Sequence, residues 1–276
     1  MREDGMEKDG MEKDGMEKDR MTGHIAVVAE DGVLEIRFNR PDKKNAITGA
    51  MYSALADALA VADADPAIRA VLFSGAGDAF TAGNDLEDFL ADTPDGGDSP
   101  VWRFLQAVAT ARKVLVAAVH GPAVGVGTTM LLHCDLVYAG RSARLALPFV
   151  KLGLVPEAAS SLLLPRLAGH QRAAEMLLLG EPFDAATALS LGLVNRVVED
   201  ADLLATARAA AAAVAALPPD AVQQSKALLK GNTPEVLARM AEEARLFRDR
   251  LRSAEFRQAA SAFLRKRPPA AAPDRS

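Results

Sequence analysis

The sequence predicts an α/β fold with a helical C-terminal region. The apolar runs at 70–74 and Val114–Val119, the second of them valine-rich, are each long enough for one buried strand, and Val33–Phe38 is a third predicted strand. Helical segments separate these runs, and from Asp202 onward the pattern is helical only. Such alternation is typical of folds in which helices cover a largely parallel sheet.

The first third of the chain shows the elements most clearly. Residues 25–28 and Val33–Phe38 are predicted strands, and Asp31-Gly32 between them indicates a hairpin. Thr48 is a predicted N-cap for an amphipathic helix that extends to about residue 62, before Asp65-Pro66 ends it.

The later elements follow the same pattern. Ser99 is a predicted N-cap for a helix that Pro100 opens and that ends near Arg112. The segment 148–157 is irregular and mostly apolar, and it carries one carboxylate, Glu157. Further strands are predicted at 136–139 and 193–198, and further helices at about 169–179, at 184–191 and beyond 202, before a Pro/Ala-rich end after 267.

The first twenty residues consist of near-copies of one charged pentapeptide, Met-Glu-Lys-Asp-Gly. A repeat this charged has nothing to bury, so residues 1–20 are expected to form a solvated tail. An interaction arm is the alternative. The simpler explanation is a duplication or an upstream start codon, with Met21 opening the working protein.

Composition limits the possible partners. A net charge of −5 gives no reason to expect a nucleic acid or an anionic membrane surface as a partner. No apolar run approaches the roughly 20 residues that cross a bilayer. The single cysteine, Cys134, cannot form an intrachain disulfide, which favours a reducing, cytoplasmic location.

The glycine-rich stretch 121–135 is the clearest candidate for a functional site. It follows the predicted strand Val114–Val119 and then becomes apolar at helical spacing, so it predicts a strand, a glycine turn and a helix. Glycines at the start of a helix let the backbone approach a ligand and leave N–H groups without partners. Such a site holds a phosphate or an oxygen that gains negative charge. The alternative is a tight buried turn in which the glycines only avoid clashes.

Three segments of the chain match a known pattern: Asn39-Arg40-Pro41 with Asn45-Ala46, the segment Phe-Thr-Ala-Gly-Asn-Asp-Leu at 80–86, and the glycine-rich stretch 121–135. Through these segments the chain resembles, over about residues 25–266, the crotonase superfamily, the enoyl-CoA hydratases and isomerases. The resemblance implies a crotonase-like spiral of ββα units with two nearly perpendicular sheets. Beyond the tail at 1–20, it implies an acyl-CoA-binding core at 21–200 and a C-terminal helical region at 201–276 that mediates assembly into a homotrimer or hexamer.

The resemblance also assigns binding roles by motif position. Two backbone N–H groups, those of Asn84 and Val126, correspond to the oxyanion hole that holds the thioester oxygen. The alternatives are that Asn84 only caps a helix and that Val126 is only a core residue. Coenzyme A contacts fall on five residues, of which the last two usually come from a neighbouring subunit: Ala82, Lys43, Lys44, Phe247 and Lys266. Solvated lysines are the alternative for the basic positions.

The type of reaction is indicated by two positions at which this sequence differs from the hydratases of the family. Their two glutamates correspond here to Thr129 and Phe149, and a phenylalanine can neither take nor give a proton. Glu157 instead matches the single glutamate of the monofunctional Δ3,Δ2-enoyl-CoA isomerases. One carboxyl suffices for that reaction, because it removes a proton from C2 and returns it to C4. The alternative is that Glu157 only caps or pairs near a helix start.

The resemblance leaves other functions open. They are another crotonase-type activity, such as weak hydration, hydrolysis or decarboxylation, and non-catalytic binding of acyl-CoA or RNA. No metal site and no cofactor beyond the coenzyme A of the substrate are expected.

His120 and His133 are expected to be packing residues. Phe89, Trp102 and Phe104 are candidates for an acyl pocket or for core positions, and Phe247, Leu251 and Phe263 are candidate subunit contacts.

Overall fold

The structure is a computed structural model that describes residues 19–91, 99–231 and 233–266. Strands and helices alternate along it, with helices alone at the C-terminal end. The strands are β1 Asp19–Thr22, β2 Ile25–Glu30, β3 Val33–Phe38, β4 Ala70–Gly75, β5 Val114–Val119, β6 Pro122–Val124, β7 Leu136–Gly140, β8 Arg144–Ala146, β9 Phe183–Asp184 and β10 Arg196–Val198.

Eleven helices follow or separate these strands within the described residues. They are α1 Gly49–Ala64, α2 Leu86–Ala91, α3 Pro100–Thr110, α4 Val126–Thr129, α5 Ser160–Ala168, α6 His170–Ala174, α7 Ala185–Ser190, α8 Asp200–Ala215, α9 Pro219–Leu229, α10 Thr233–Leu251 and α11 Ala254–Lys266. The 3-10 turns are Pro41–Lys43, Met130–His133 and Val150–Leu152, and Glu175–Leu179 forms a π turn.

The larger sheet has the strand order β1-β2-β3-β4-β5-β7-β10. Strands β1 to β3 pair antiparallel, and every pair from β3 onward is parallel. Every residue of β4 and β5 is buried. Because both faces of these central strands are covered, their sequences are continuously apolar and do not alternate.

A second, smaller layer contains β6, β8 and β9. Two isolated parallel bridges add earlier parts of the chain to this layer: Thr81 pairs with Ala123 of β6, and Ile47 pairs with Asn84. After β3, β4, β5 and β7 the chain therefore passes through this layer before the next helix begins. This repeated path confirms the predicted spiral of ββα units.

The predicted helix caps are confirmed. The Thr48 hydroxyl accepts a hydrogen bond from the Met51 amide at the start of α1, and the Ser99 hydroxyl accepts one from the Trp102 amide at the start of α3. Side-chain oxygens at these positions satisfy amides that have no partner inside the helix. The caps fix where α1 and α3 begin, and these two helices pack against each other.

The C-terminal helices have two different locations. Helix α8 covers one face of the larger sheet, where Leu203, Ala207 and Ala211 pack against β4 and β5. Helices α10 and α11 pack against the opposite end of the molecule, over the apolar passage 148–154. The boundary at residue 200 between core and C-terminal region stays a prediction, since α8 begins there yet contributes to the core of the sheet.

Two of the residues expected to contact a neighbouring subunit are buried within their own chain. Phe247 and Leu251 are 8% and 6% exposed and belong to one hydrophobic cluster. The side chain of Phe263 lies outside the described residues. The homotrimer or hexamer stays a prediction.

Other differences concern element boundaries. The sequence pattern did not indicate α5, because Pro165 interrupts it and its apolar residues have little polar contrast. The strand expected at 193–198 is confined to Arg196–Val198. Residues 1–18 of the predicted tail lie outside the described residues, whereas Asp19 and Arg20 pair with β2.

Among residues 19–91, 99–231 and 233–266, no single helix is long and apolar enough to span a membrane. Helices α8 and α9 meet that test only as a pair, by length and composition, and they are bent by 109°.

Two glycines allow loops from neighbouring ββα units to touch. Gly83 has a φ of +83°, and a Cβ at this position would lie 2.5 Å from the carbonyl oxygen of Val124. A Cβ at Gly127 would lie 2.6 Å from the Thr81 methyl carbon. No side chain fits at these distances, so these glycines permit the close approach of the loop 81–85 and the turn 122–127.

Replacement of Gly83 by Ala is expected to destabilise the protein more than the matched change Gly169→Ala. Gly169 has nearly the same φ, +82°, but an added Cβ there meets nothing within 4 Å. Gly169→Ala should therefore cost only the strain of its backbone conformation (φ +82°, ψ 157°), which is almost exclusive to glycine, about 1–3 kcal/mol. Gly83→Ala should cost about 1–3 kcal/mol more because the loops must separate. Denaturant unfolding measures both, and equal losses would show that the contact with Val124 is unimportant.

Candidate active site

A cavity of about 650 Å³ lies where the loops of successive ββα units meet the C-terminal helices. Its size is that of small-molecule binding sites. Most lining side chains are apolar, and the polar ones lie on loops, on 3-10 turns and at the start of α2. The lining comprises residues of the segments 43–46, 82–89, 124–126 and 148–154, together with Phe247, Ala259 and Ala262.

Two backbone amides without partners lie at this cavity. The Ile47 amide donates to Gly83 O at 2.8 Å, and Ile47 O accepts from the Asp85 amide at 2.9 Å. In this parallel register the peptide groups of Asn84 point away from Ile47. Val126 is the first residue of α4, where a helix leaves its N–H groups unsatisfied. Among the described residues, neither the Asn84 nor the Val126 amide donates a hydrogen bond.

Asn45 holds the loop that carries Asn84. Its side-chain amide donates to the Ala76 and Ala79 carbonyls at 2.8 and 2.7 Å, and its Oδ1 accepts from the Arg40 amide at 2.8 Å. Asn45 O accepts from the Thr81 hydroxyl at 2.7 Å. The asparagine of the first resemblance segment is therefore structural, because it ties the 40–45 loop to the chain that follows β4.

A buried ion pair completes this support. Arg40 Nη1 donates to Asp85 Oδ2 at 2.6 Å, and both side chains are largely buried. Burial alone would raise the pKa of the Asp85 carboxyl, but the hydrogen bond and charge of Arg40, together with the Asp88 and Glu87 amides, outweigh it and the pKa is lowered. Asp85 also accepts from the Glu87 amide at 3.0 Å, so the ionised carboxylate caps α2 directly after Asn84.

Glu157 lies in the interior, 6% exposed. Its Oε1 accepts a hydrogen bond from the Thr129 hydroxyl at 3.0 Å. Burial raises the pKa of Glu157 to about 7, the Thr129 hydrogen bond opposes that rise, and the nearby Glu243 carboxylate adds to it. A carboxyl with this pKa both accepts and releases a proton readily near neutral pH.

Glu157 reaches a second cavity beside the first. This cavity, of about 50 Å³, is lined by Glu157, Trp102, Arg248 and mostly apolar neighbours from α3 and α10. Phe89 and Phe247 line both cavities, and their rings meet edge to face with centroids 6.3 Å apart. The aromatic pair therefore belongs to the walls of both cavities.

Tyr52 links Glu157 to the Asn84 loop. Its hydroxyl donates a hydrogen bond to Asn84 Oδ1, and its ring packs against Phe104 at 5.6 Å between centroids. Burial and, second, the charge of Glu157 raise the pKa of Tyr52, so the hydroxyl stays protonated. Tyr52 is thus a buried neighbour of both Glu157 and the side chain of Asn84, the residue that carries one of the two free backbone amides.

Four of the five predicted coenzyme A contacts lie at the larger cavity. Lys43, Lys44 and Ala82 line the larger cavity, as does Phe247, which belongs to the same chain as the cavity and not to a neighbour. Lys44 also pairs with Asp78 at the surface. The side chain of Lys266 lies outside the described residues.

The two positions that correspond to the hydratase glutamates hold no acid. Thr129 is buried and donates to Glu157, while Phe149 is 5% exposed and lines the larger cavity. Of the aromatic candidates, Phe89 and Trp102 border a cavity, and Phe104 is a core residue. Tyr52 and Glu243 were not predicted, because nothing in their local sequence distinguishes them from ordinary helical residues.

Of the two histidines expected to be packing residues, His133 is buried, whereas His120 is half-buried and bonds the Gly77 carbonyl. His133 Nε2–H donates to Ala158 O at 2.8 Å, and burial lowers the pKa of His133 to about 4, so the ring is neutral. Burial raises the pKa of Cys134 to about 12, which keeps the thiol protonated. Within the described part of the chain, no group of three or more His, Cys, Asp or Glu residues could hold a metal ion.

The raised pKa of Glu157 predicts a pH-dependent contribution to stability. Between pH 4.5 and 7 the folded protein keeps a proton that the unfolded chain has lost, so the free energy of unfolding falls as pH rises. The slope from this one group is at most about 1.4 kcal/mol per pH unit. Unfolding at pH 5, 6, 7 and 8 should show this fall in the difference between wild type and Glu157→Gln, and a constant difference would contradict the raised pKa.

Comparison with known proteins agrees with this geometry. The sequence profile of the family described as enoyl-CoA hydratase/isomerase matches residues 28–272. Enoyl-CoA delta isomerase 2 of Rattus norvegicus is 38% identical over 251 residues, which are 88% of this chain but only 64% of the rat protein. The 1,2-epoxyphenylacetyl-CoA isomerase of Escherichia coli is 37% identical, over 87% of this chain and 95% of its own.

Solved structures give the same result. The crystal structure of enoyl-CoA hydratase/isomerase from Pseudoalteromonas atlantica is 49% identical, with a TM-score of 0.85 over 90% of this chain and 99% of that one. Relatives also include proteins described as an enoyl-CoA hydratase and a 4-chlorobenzoyl coenzyme A dehalogenase. The chain belongs to the enoyl-CoA hydratase/isomerase family, within the crotonase superfamily of acyl-CoA enzymes.

Proposed function

We propose that the protein isomerises 3-enoyl-CoA to 2-enoyl-CoA, with Glu157 as the acid and base. The observation that carries the proposal is the state of the Glu157 carboxyl. It is buried, it has one hydroxyl partner in Thr129, and burial raises its pKa to about 7. It lines the small cavity, which shares the walls Phe89 and Phe247 with the larger cavity, and at the larger cavity the amides of Asn84 and Val126 have no partner.

The larger cavity is the proposed binding site of the substrate. The thioester oxygen would accept hydrogen bonds from the Asn84 and Val126 amides, and the segment at Ala82 would run along the coenzyme A. Lys43 and Lys44 at the cavity lining would neutralise its phosphates. Backbone amides suit this role, since they are fixed before the substrate binds and need no reorganisation during the reaction.

The proposed reaction moves one proton. Ionised Glu157 removes a proton from C2, and the electron pair shifts into the thioester carbonyl to give a dienolate whose oxygen the two amides stabilise. Neutral Glu157 then returns a proton to C4, and the double bond ends between C2 and C3. No water is added or released, so one carboxyl is sufficient.

Hydration fits the site less well. Adding water across the double bond requires groups that hold and split a water molecule. Thr129 already donates to Glu157, and Phe149 places an apolar ring in the cavity lining. Relatives described as isomerases and a relative described as a hydratase both occur, so the relatives alone do not decide between the reactions.

Glu157→Gln is expected to lower the rate of isomerisation by roughly 100-fold or more, because the amide keeps the shape of the side chain and cannot act as a base. Binding of a CoA ester should stay within about threefold of wild type, since the oxyanion-hole amides are unchanged. Absorbance of the conjugated thioester follows the reaction, and calorimetry measures binding.

Glu242→Gln serves as the matched control. Glu242 is exposed on α10 and pairs only with Arg239, so this variant should isomerise like wild type. Undiminished isomerisation by Glu157→Gln would exclude Glu157 as the base. Rapid hydration of 2-enoyl-CoA or release of free coenzyme A by wild type, with no isomerisation, would favour another crotonase-type activity instead.

A further inference from the structure

The turn that follows Glu157 has an unusual backbone. Ala158 and Ala159 have φ angles of +58° and +55°, both in the left-handed region that favours glycine. Two successive non-glycine residues in this region are strained, and they persist only where surrounding groups hold them. The direction in which the Glu157 side chain leaves the backbone depends on this turn.

Glu243 of α10 binds the far side of this turn. Its Oε2 accepts a hydrogen bond from the Ala159 amide at 2.6 Å, and its Oε1 accepts from the Ser161 amide at 3.0 Å and the Ser161 hydroxyl at 2.5 Å. The side chain is 4% exposed. All three partners are donors, which a carboxylate satisfies and a neutral acid does not. They lie at the start of α5, where free amides favour a negative charge.

Other contacts fix the remaining peptide groups. His133 Nε2–H donates to Ala158 O at 2.8 Å, and the Ser160 hydroxyl donates to Glu157 O at 2.6 Å. The His133 ring is neutral. Burial raises the pKa of Glu243, whereas its three hydrogen bonds from Ser161 and Ala159 and the charge of Arg239 oppose that rise and favour the carboxylate. Without its carboxylate, the Ala159 and Ser161 amides would be buried without a partner.

We propose that Glu243 is a positioning residue: its buried carboxylate holds the left-handed turn at 158–159 and thereby aims the Glu157 carboxyl and keeps it protonatable. The inference rests on the proposed role of Glu157. It gives the C-terminal helix α10 a part in the reaction, although Glu243 itself touches no reacting atom.

The charged and titratable groups around Glu157 determine whether loss of the Glu243 charge raises or lowers the pKa of Glu157. Thr129 from α4 donates to it, and Tyr52 from α1 lies near it with a protonated hydroxyl. From α10, Arg248 lines the small cavity beside it, and Glu243 presents a like charge. Arg239 of the same helix interacts with Glu243 and donates to the Ser161 hydroxyl at 3.2 Å. Loss of the Glu243 charge should therefore make Glu157 easier to ionise.

The test compares Glu243→Gln, Glu243→Asp and the control Glu242→Gln. Glu243→Gln removes the charge and one acceptor, so kcat for isomerisation should fall by about 10-fold or more, with KM within about threefold. The midpoint of the rise of kcat/KM with pH should move to lower pH. Glu243→Asp keeps the charge, but its shorter side chain does not reach the Ala159 and Ser161 donors. Its kcat should therefore fall, while the pH midpoint of kcat/KM should move less than in Glu243→Gln. Glu242→Gln should match wild type in both.

A titration that needs no turnover separates this inference from the proposed function. Infrared difference spectra of wild type against Glu157→Gln isolate the carboxyl band of Glu157 across pH 4 to 9. Glu243→Gln, compared in the same way with Glu243→Gln/Glu157→Gln, should titrate at lower pH than wild type. If wild type shows no isomerase activity, the proposed function fails, and the titration still tests the effect of Glu243 on Glu157.

A wild-type midpoint and a wild-type kcat in Glu243→Gln would overturn the proposal. A lower melting temperature with unchanged kcat and midpoint would also overturn it, since that is the result of a purely structural cap. If Glu243→Gln does not fold, Ser161→Ala removes one donor from the same carboxylate, and kcat should then fall by about threefold or more. An unchanged kcat in folded Ser161→Ala would count against the proposal in that case.

Discussion

Burial of one carboxyl beside an open cavity is the constraint on which the rest of this site depends. Water would hold Glu157 ionised at neutral pH, whereas the interior raises its pKa to about 7. That environment requires closely packed neighbours from distant parts of the chain. Thr129 comes from the helix after the glycine turn, Trp102 from α3, and Glu243 and Phe247 from α10. The C-terminal helices thus complete the interior in which this carboxyl lies.

The free backbone amides of Asn84 and Val126 impose a second constraint. The direction of a backbone N–H group is fixed only when the conformation of its whole loop is fixed. Gly83 and Gly127 let the two loops touch, Asn45 ties the first loop to the end of β4, and the Arg40–Asp85 pair anchors the residue after Asn84. The resemblance segments are therefore mostly supports for the backbone. The glycines avoid clashes, as one interpretation of the turn has it, and in doing so they bring the loops with the unpaired amides together. Their part in holding a charged oxygen stays a prediction.

The sequence predicted what is decided locally. Strand β5 and the caps Thr48 and Ser99 depend on short-range patterns and were predicted correctly. The placement of Glu157 near the site was predicted from motif position, and its burial came from the structure. Glu243 could not be predicted, because its partner Ala159 is 84 residues away and α10 presents several similar glutamates. Phe247 was assigned to a neighbouring subunit, whereas it packs on Phe89 of its own chain.

The central claim, that one shielded carboxyl moves the proton, is tested most directly by following that proton. A 3-enoyl-CoA carrying deuterium at C2 is converted in ordinary water, and mass spectrometry of early product locates the label. Because Glu157 is buried, the account predicts that a measurable share of the deuterium removed from C2 appears at C4 of the 2-enoyl-CoA product. Product whose C4 hydrogen comes entirely from solvent in the first turnovers would contradict it.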